Sequence, residues 1–171
     1  MTAVVSLLLA AILPQSGTLH FVPAPTWKPR PPASSMRVAE FVVPRVAGDP
    51  EDAEVIVYFF GGSGGSVDAN IERWVGQFQT PGGRSVPTPK RTTSTSGSLT
   101  VTAIDVGGTY IAQVRPGSDE RFNKPDFRMW AAVVETPKGP YFVKLTGPKQ
   151  TVAQTLTSGE FDGFMKSLRF E

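Results

Sequence analysis

Runs of alternating apolar and polar residues predict strands in this chain, and two helical repeats predict helices. The apolar run 55–60 is rich in β-branched and aromatic residues and too short for a buried helix, so it predicts a central strand. Residues 61–65 are a glycine loop, and Ser66 after it is a suitable N-cap. One face of the helix that follows carries four apolar side chains: Ile71, Trp74, Val75 and Phe78. Residues 54–78 are therefore predicted to form a strand, a glycine loop and a helix.

Further strands are predicted on both sides of this unit. The predicted strands and hairpin arms are 19–22, 36–43, an edge strand within 85–95, 99–106 continued by 109–111, 127–135 and 141–145. The pair Gly107-Gly108 inside one pattern indicates a bulge or a bend. Trp27 stands in a proline-rich segment, where we expect it to pack over an edge of the core; a docking role is the alternative.

The C-terminal segment predicts a second helical region. Pro148 is placed to begin a helix, and Thr157-x-x-Glu160 has the spacing of a capping box. The last helical face carries Phe161, Phe164, Met165 and Leu168. The order of these elements predicts an α+β fold, a mostly antiparallel β-sheet flanked by helices.

The C-terminal hairpin and helix resemble a known fold. Residues 141–145 (YFVKL), the segment 146–148 (TGP) and Phe161-x-x-Phe164-x-x-Ser167-Leu168 are similar to the Mog/PsbP-like fold family. Trp27, the strand 36–43 and Asn70-Ile71-x-x-Trp74 add to the likeness, which covers about residues 19–170 in element order. The resemblance implies an α/β/α sandwich and a non-enzymatic adaptor or accessory domain. It transfers no catalytic residue.

Composition limits the classes of function. The chain has 171 residues with 17 basic and 15 acidic side chains, a net charge of +2 that is too balanced to indicate a nucleic acid or an anionic membrane as partner. The absence of cysteine rules out disulfides and thiol catalysis, and the single histidine, His20, rules out a multi-histidine metal site within one chain. We therefore expect no cofactor and no metal.

The N-terminus carries a targeting signal. Residues 3–13 are continuously apolar, of signal-peptide length and too short to span a bilayer comfortably, with small and polar residues following. No basic residue precedes the run, and an N-terminal strand or core helix is the alternative. We predict a signal peptide at 1–17, a single domain at 18–171, a periplasmic or secreted product, and no stable membrane span after processing.

Ser63 gives the strongest enzymatic pattern. Residues 61–65 (GGSGG) match the G-x-S-x-G nucleophile elbow between a strand and a helix. No histidine follows Ser63, and Lys144 or Lys149 can act as a base only if desolvated. The alternatives are a phosphate cradle made by backbone amides and a plain strand–helix connector, which we favour.

Residues 48–54 contain four carboxylates but lack the spacing of an EF-hand loop. We therefore predict a solvated hairpin loop there, rather than a calcium site.

The predicted binding surface lies in residues 113–130. Basic and aromatic side chains mix there, as they do at interface hot spots. The candidate binding residues are Arg115, Arg121, Phe122, Arg128 and Trp130. The expected function is a non-catalytic, exported binding or accessory module of the cell envelope with an unknown protein partner. The alternatives are a serine-dependent hydrolase using Ser63 and a carrier of a small apolar or anionic ligand.

Overall fold

The structure, a computed structural model, describes residues 17–171, so the predicted signal peptide lies outside the described residues except for Gly17. The strands are β1 Leu19–His20, β2 Lys28–Arg30, β3 Arg37–Val43, β4 Ala53–Phe59, β5 Phe78–Gln79, β6 Thr92–Ser96, β7 Leu99–Tyr110, β8 Lys124–Glu135, β9 Tyr141–Pro148 and β10 Arg169–Phe170. The helices are α1 Val67–Val75, α2 Lys149–Thr157 and α3 Glu160–Lys166.

The main sheet is antiparallel throughout. Its order is β2-β3-β4-β9-β8-β7, and β5 and β6 pair with different parts of β7. Strands β1 and β10 form a separate two-stranded sheet. The predicted α+β class with a mostly antiparallel sheet is therefore confirmed. The predicted irregularity at Gly107-Gly108 is also present, as a shift of the β7–β8 register between Gly108 and Tyr110.

The two faces of this sheet are covered by different helices, and each covers its own apolar cluster. Because side chains alternate along a strand, Phe127, Met129 and Ala131 of β8 face one way, whereas Ala132 and Val134 face the other. The first face packs against Ile71 and Trp74 of α1, and we call it the α1 side. The second packs against α2 and α3, and we call it the α2/α3 side.

The α2/α3 side holds an aromatic cluster. Trp27 is 5% exposed, and its ring lies 5.3 Å from that of Phe164 and 6.0 Å from that of Phe41. The predicted packing of Trp27 over the core is confirmed. Phe161 and Phe164 are buried as the helical repeat predicts, because α3 turns this face toward the sheet. Leu168 is also buried, but α3 ends at Lys166, so the prediction of its helical conformation was wrong.

Helix α1 begins as predicted but ends early. The Ser66 hydroxyl accepts a hydrogen bond from the Ala69 amide at 3.2 Å, which confirms the N-cap. The helix stops at Val75, and Gly76 is its C-cap, so Phe78 belongs to β5 instead of the helix. Phe78 is still buried on the α1 side. The prediction of its burial was right and that of its helical conformation was wrong.

The capping box predicted at Thr157 does not form. The Thr157 hydroxyl donates back to the carbonyls of Ala153 and Gln154, inside α2. Gly159, with φ +87°, occupies the N-cap position of α3, a left-handed conformation that glycine adopts readily. The chain therefore turns sharply between α2 and α3 without a side-chain cap.

The acidic loop is more ordered than the predicted solvated hairpin loop. Pro148 is the N-cap of α2 and offers no side-chain hydrogen bond, so a residue remote in sequence, Asp49, caps the start of α2 instead. The Asp49 carboxylate accepts from the Thr151 amide at 2.8 Å, and the Asp52 carboxylate accepts from the Arg45 amide at 3.0 Å. These carboxylates satisfy backbone donors of the protein itself. Within residues 17–171, no helix has the length and apolar character needed to cross a bilayer.

Candidate functional site

The loop between β7 and β8, residues 111–123, carries three of the five predicted binding residues. It is partly ordered by its own pairing, because Gln113 bridges to Arg121 and the Phe122 amide donates to the Ala112 carbonyl at 2.9 Å. The loop thus continues the β7–β8 hairpin, with a turn closed by a hydrogen bond from the Ser118 amide to the Arg115 carbonyl.

Aromatic stacking fixes the base of this loop to the sheet. The Tyr110 ring is stacked on Phe122 at 5.7 Å and on Phe127 at 6.0 Å between centroids. The Lys124 ammonium lies 4.8 Å from the Phe122 ring and forms an ion pair of 2.5 Å with Glu51. Phe122 is therefore half-buried and anchors the loop.

The two arginines of the loop face solvent. The Arg115 side chain is 78% exposed, and its only ion-pair partner among the described residues is Glu120, at 4.0 Å. Arg121 is exposed and donates to the Ile111 carbonyl at 3.3 Å. An exposed pair this long adds little to stability. The loop thus presents two guanidinium groups on an anchored backbone.

Arg128 and Trp130 do not join this surface. Both lie on the α2/α3 side, because they alternate with Phe127 and Met129 along β8. Arg128 binds both carboxylate oxygens of Asp105, at 2.8 and 2.5 Å. The Trp130 ring packs edge-on against Phe161 at 4.9 Å. The structure therefore separates Arg128 and Trp130, which lie within the sheet on the α2/α3 side, from the three predicted residues of the loop 111–123.

The glycine loop before α1 is a shaped connector. Gly61, Gly62 and Gly65 have positive φ angles, and the absence of a Cβ at Gly64 lets the Phe142 ring approach its backbone. The buried Asn70 side chain donates to the Gly64 and Ser66 carbonyls, both at 2.8 Å. These contacts explain why the loop needs its glycines.

Ser63 has no catalytic partner in the described chain. Its hydroxyl makes no hydrogen bond there, and Ser66, not Ser63, caps α1. Lys144 pairs with Ile56 in the middle of β4, whereas Ser63 lies beyond the end of that strand. The Ser66 cap also occupies the Ala69 amide, one of the donors that a bound phosphate would need.

Lys144 is a residue whose environment the sequence reasoning did not resolve. It is half-buried in β9, and burial lowers the pKa of its ammonium to about 8, with repulsion from Arg73 and Arg37 adding to the effect and attraction by Glu54 opposing it. A lone lysine in the apolar run 141–145 is the sequence signal that could have singled it out. Groups of three or more potential metal ligands do not occur in the part of the chain that the structure describes.

Comparison of the chain with models of known protein families found no match, and comparison with curated proteins found none either.

Proposed function

We propose that this protein is a non-catalytic, exported binding or accessory module of the cell envelope, which binds a protein partner through the loop 111–123. The observation that carries the proposal is the combination of an anchored loop base with two exposed arginines, Arg115 and Arg121. A pre-ordered loop loses less conformational entropy when it binds, and arginine is enriched at interface hot spots.

The proposal includes a fold of the Mog/PsbP-like type and a periplasmic or secreted location after removal of residues 1–17. Its support is the antiparallel sheet with α1 on one face and α2 and α3 on the other. The location rests on the apolar N-terminal segment of the sequence.

A crosslinking pull-down from the envelope fraction of the host, with the tagged full-length chain as bait, tests the proposal. Three baits are compared: the natural chain, the double variant Arg115→Ala/Arg121→Ala, and Arg128→Ala. The third is a matched control, because Arg128 is also an arginine of the β7–β8 hairpin but lies outside the loop 111–123 and is held by Asp105 within the sheet.

We expect the natural chain and Arg128→Ala to capture the same partner and the double variant to lose it. Circular dichroism verifies that all three baits are folded, and intact-mass analysis shows whether the bait begins near Thr18. Equal capture by the double variant would remove the loop from the binding surface. A bait that stays uncleaved in the cytoplasm would contradict the location.

A further inference from the structure

A group of polar side chains lies on the α1 side of the sheet, beside the region that α1 covers. Lys144 lies two residues after Phe142 in β9, so both side chains point to the same face, and Phe142 belongs to the apolar cluster under α1. The β3–β4 and β4–β9 registers bring further polar residues next to it. The group, which we call the Lys144 patch, consists of Arg37, Glu54, Tyr58, Gln77, Tyr110 and Lys144.

The Lys144 patch has hydrogen-bond donors that the described protein does not use. The Lys144 ammonium carries three hydrogens and makes one hydrogen bond, to the Gln77 side-chain oxygen at 3.1 Å. The hydroxyls of Tyr58 and Tyr110 make no hydrogen bond to residues 17–171, and both residues are half-buried. Burial raises the pKa of Tyr58 to about 12 and also raises the pKa of Tyr110, so both hydroxyls keep their protons at neutral pH.

The charges around Lys144 are unbalanced in favour of an anion. The carboxylates joined to this patch by its arginines are Glu40 and Glu54, and both are already engaged: Glu40 binds Arg30 and Arg37, and Glu54 binds Arg30 at 2.8 Å. Four cationic side chains therefore meet two anionic ones: Arg30, Arg37, Arg73 and Lys144 against Glu40 and Glu54. Repulsion from Arg37 and Arg73 acts on the Lys144 ammonium, and a bound negative charge would relieve it.

We propose that the Lys144 patch binds the oxyanion group of a small molecule, a carboxylate or a phosphate, through the Lys144 ammonium and the Tyr58 and Tyr110 hydroxyls. Tyr58 is the diagonal neighbour of Lys144 across the β4–β9 pairing, and Tyr110 pairs with Phe78, the residue that follows Gln77. A charged donor gives an oxyanion the stronger class of hydrogen bond. Lys144 is half-buried in the sheet beside Gln77, which follows α1, so a compact ligand group reaches it better than a flat protein surface does. This site is separate from the arginines of the loop 111–123 and does not depend on the proposed partner.

Isothermal titration of the purified full chain with inorganic phosphate, acetate and citrate at constant ionic strength tests the proposal. We expect saturable binding of at least one probe with a dissociation constant of about 1 mM or lower. Comparing phosphate with acetate and citrate shows whether the site prefers a phosphate or a carboxylate group. Binding is expected to weaken as the pH rises above about 8, because the ammonium then loses its proton. The bound anion shifts that loss to higher pH.

Two variants separate the site from general surface charge. Lys144→Met should weaken binding at least tenfold, and Lys138→Met, which removes an exposed lysine of the β8–β9 turn, should leave it unchanged. Tyr58→Phe should weaken binding by a smaller factor, because one donor of several is lost. The absence of saturable binding by any probe, or equal binding by Lys144→Met and the natural chain, would overturn the proposal.

Discussion

The two sides of the sheet are built from different chemistry. On the α2/α3 side the buried cluster is apolar, and in it Phe164 is in ring contact with Trp27, Phe21 and Phe41. On the α1 side an apolar region under the helix adjoins charged and phenolic groups that reach solvent. The difference indicates that the α2/α3 side mainly stabilises the fold, whereas the α1 side keeps polar groups accessible for binding.

The difference arises from how much chain covers each side. Helices α2 and α3 and the N-terminal lead-in with Trp27 together cover the α2/α3 side, so its buried apolar cluster is the larger of the two. A single nine-residue helix covers the α1 side, and polar side chains of β3 and β4 lie beside the region under that helix. Substitutions on the two sides should therefore differ in both size and sign.

The largest expected effect is on the α2/α3 side. Phe164 is 1% exposed, so Phe164→Ala should lower the free energy of unfolding by about 3–5 kcal/mol through lost burial and the cavity left behind. Urea unfolding followed by tryptophan fluorescence measures it. Phe60→Ala on the α1 side is the control, and a loss of about 1–2 kcal/mol is expected because Phe60 is half-buried. Equal losses in the two variants would remove the contrast between the sides.

The next effect is electrostatic and lies on the α1 side. The buried Glu40 carboxylate accepts from the Ala33 amide at 2.6 Å and from Arg30 and Arg37, both at 3.0 Å. Glu40→Gln should cost about 2 kcal/mol, less than a fully buried pair would, because both arginines retain solvent contact.

The pH dependence of this loss provides its check. Burial raises the pKa of Glu40, but the hydrogen bonds from Ala33, Arg30 and Arg37 outweigh it and hold the pKa below its ordinary 4.5. The stabilisation is therefore present above pH 4.5 and is lost as the pH falls through the lowered pKa. The difference between Glu40→Gln and the natural chain should shrink in urea unfolding at about pH 3. A loss of free energy of unfolding in Glu40→Gln that is the same at pH 3 and pH 7 would contradict this account.

A smaller effect of opposite sign is expected at Lys144. Because its pKa is lowered to about 8, the folded state binds this proton less well than the unfolded state does. The charged ammonium therefore destabilises the fold at pH 7, and this cost should fall between pH 8 and 10 as the ammonium loses its proton. Lys144→Met removes the cost and should raise the free energy of unfolding at pH 7 by on the order of 1 kcal/mol.

The matching measurement is urea unfolding of both proteins at pH 7 to 10. The difference in free energy of unfolding between Lys144→Met and the natural chain should narrow toward pH 10. The measurements stop there because Tyr58, with its pKa raised to about 12, destabilises the fold at higher pH. A gap that widens with pH would show that Lys144 is stabilised by Glu54 more than burial opposes it.

The smallest effect on stability is expected in the loop 111–123. Arg115→Ala/Arg121→Ala should change the free energy of unfolding by less than about 0.5 kcal/mol, because both side chains are exposed. Thermal unfolding measures this, with Phe122→Ala as the contrasting variant, since Phe122 stacks on Tyr110 and its loss should be larger. A large loss in the arginine variant would assign the loop to the stability of the fold rather than to binding.

Local patterns predicted most of the elements because those elements depend on nearby residues. The strand at Ala53–Phe59, the Ser66 cap and the burial of Ile71 and Trp74 all follow from short-range periodicity and capping chemistry. The end of α1 was predicted three residues late, because an apolar residue after a helix can stay buried in another conformation. The missed β1–β10 pairing joins residues at opposite ends of the sequence, so no local pattern signals it.

The candidate sites were less predictable because sidedness is a property of the whole sheet. Strand alternation shows from sequence that Arg128 and Trp130 share a face, but not that α2 and α3 cover it. The environment of Lys144 depends on Gln77, Glu54 and Arg37, which are remote in sequence. Its lowered pKa is therefore a consequence of tertiary structure.

The pairing of β1 with β10 has a mechanical consequence. The Thr18 and Glu171 backbones exchange two hydrogen bonds, so the two ends of the described chain meet beside a two-stranded sheet. A force that pulls those ends apart would act first on the hydrogen bonds between β1 and β10 and break them one after another. The large sheet would bear the force only after β1 and β10 have separated, so this pair would be the first part of the fold to open under force.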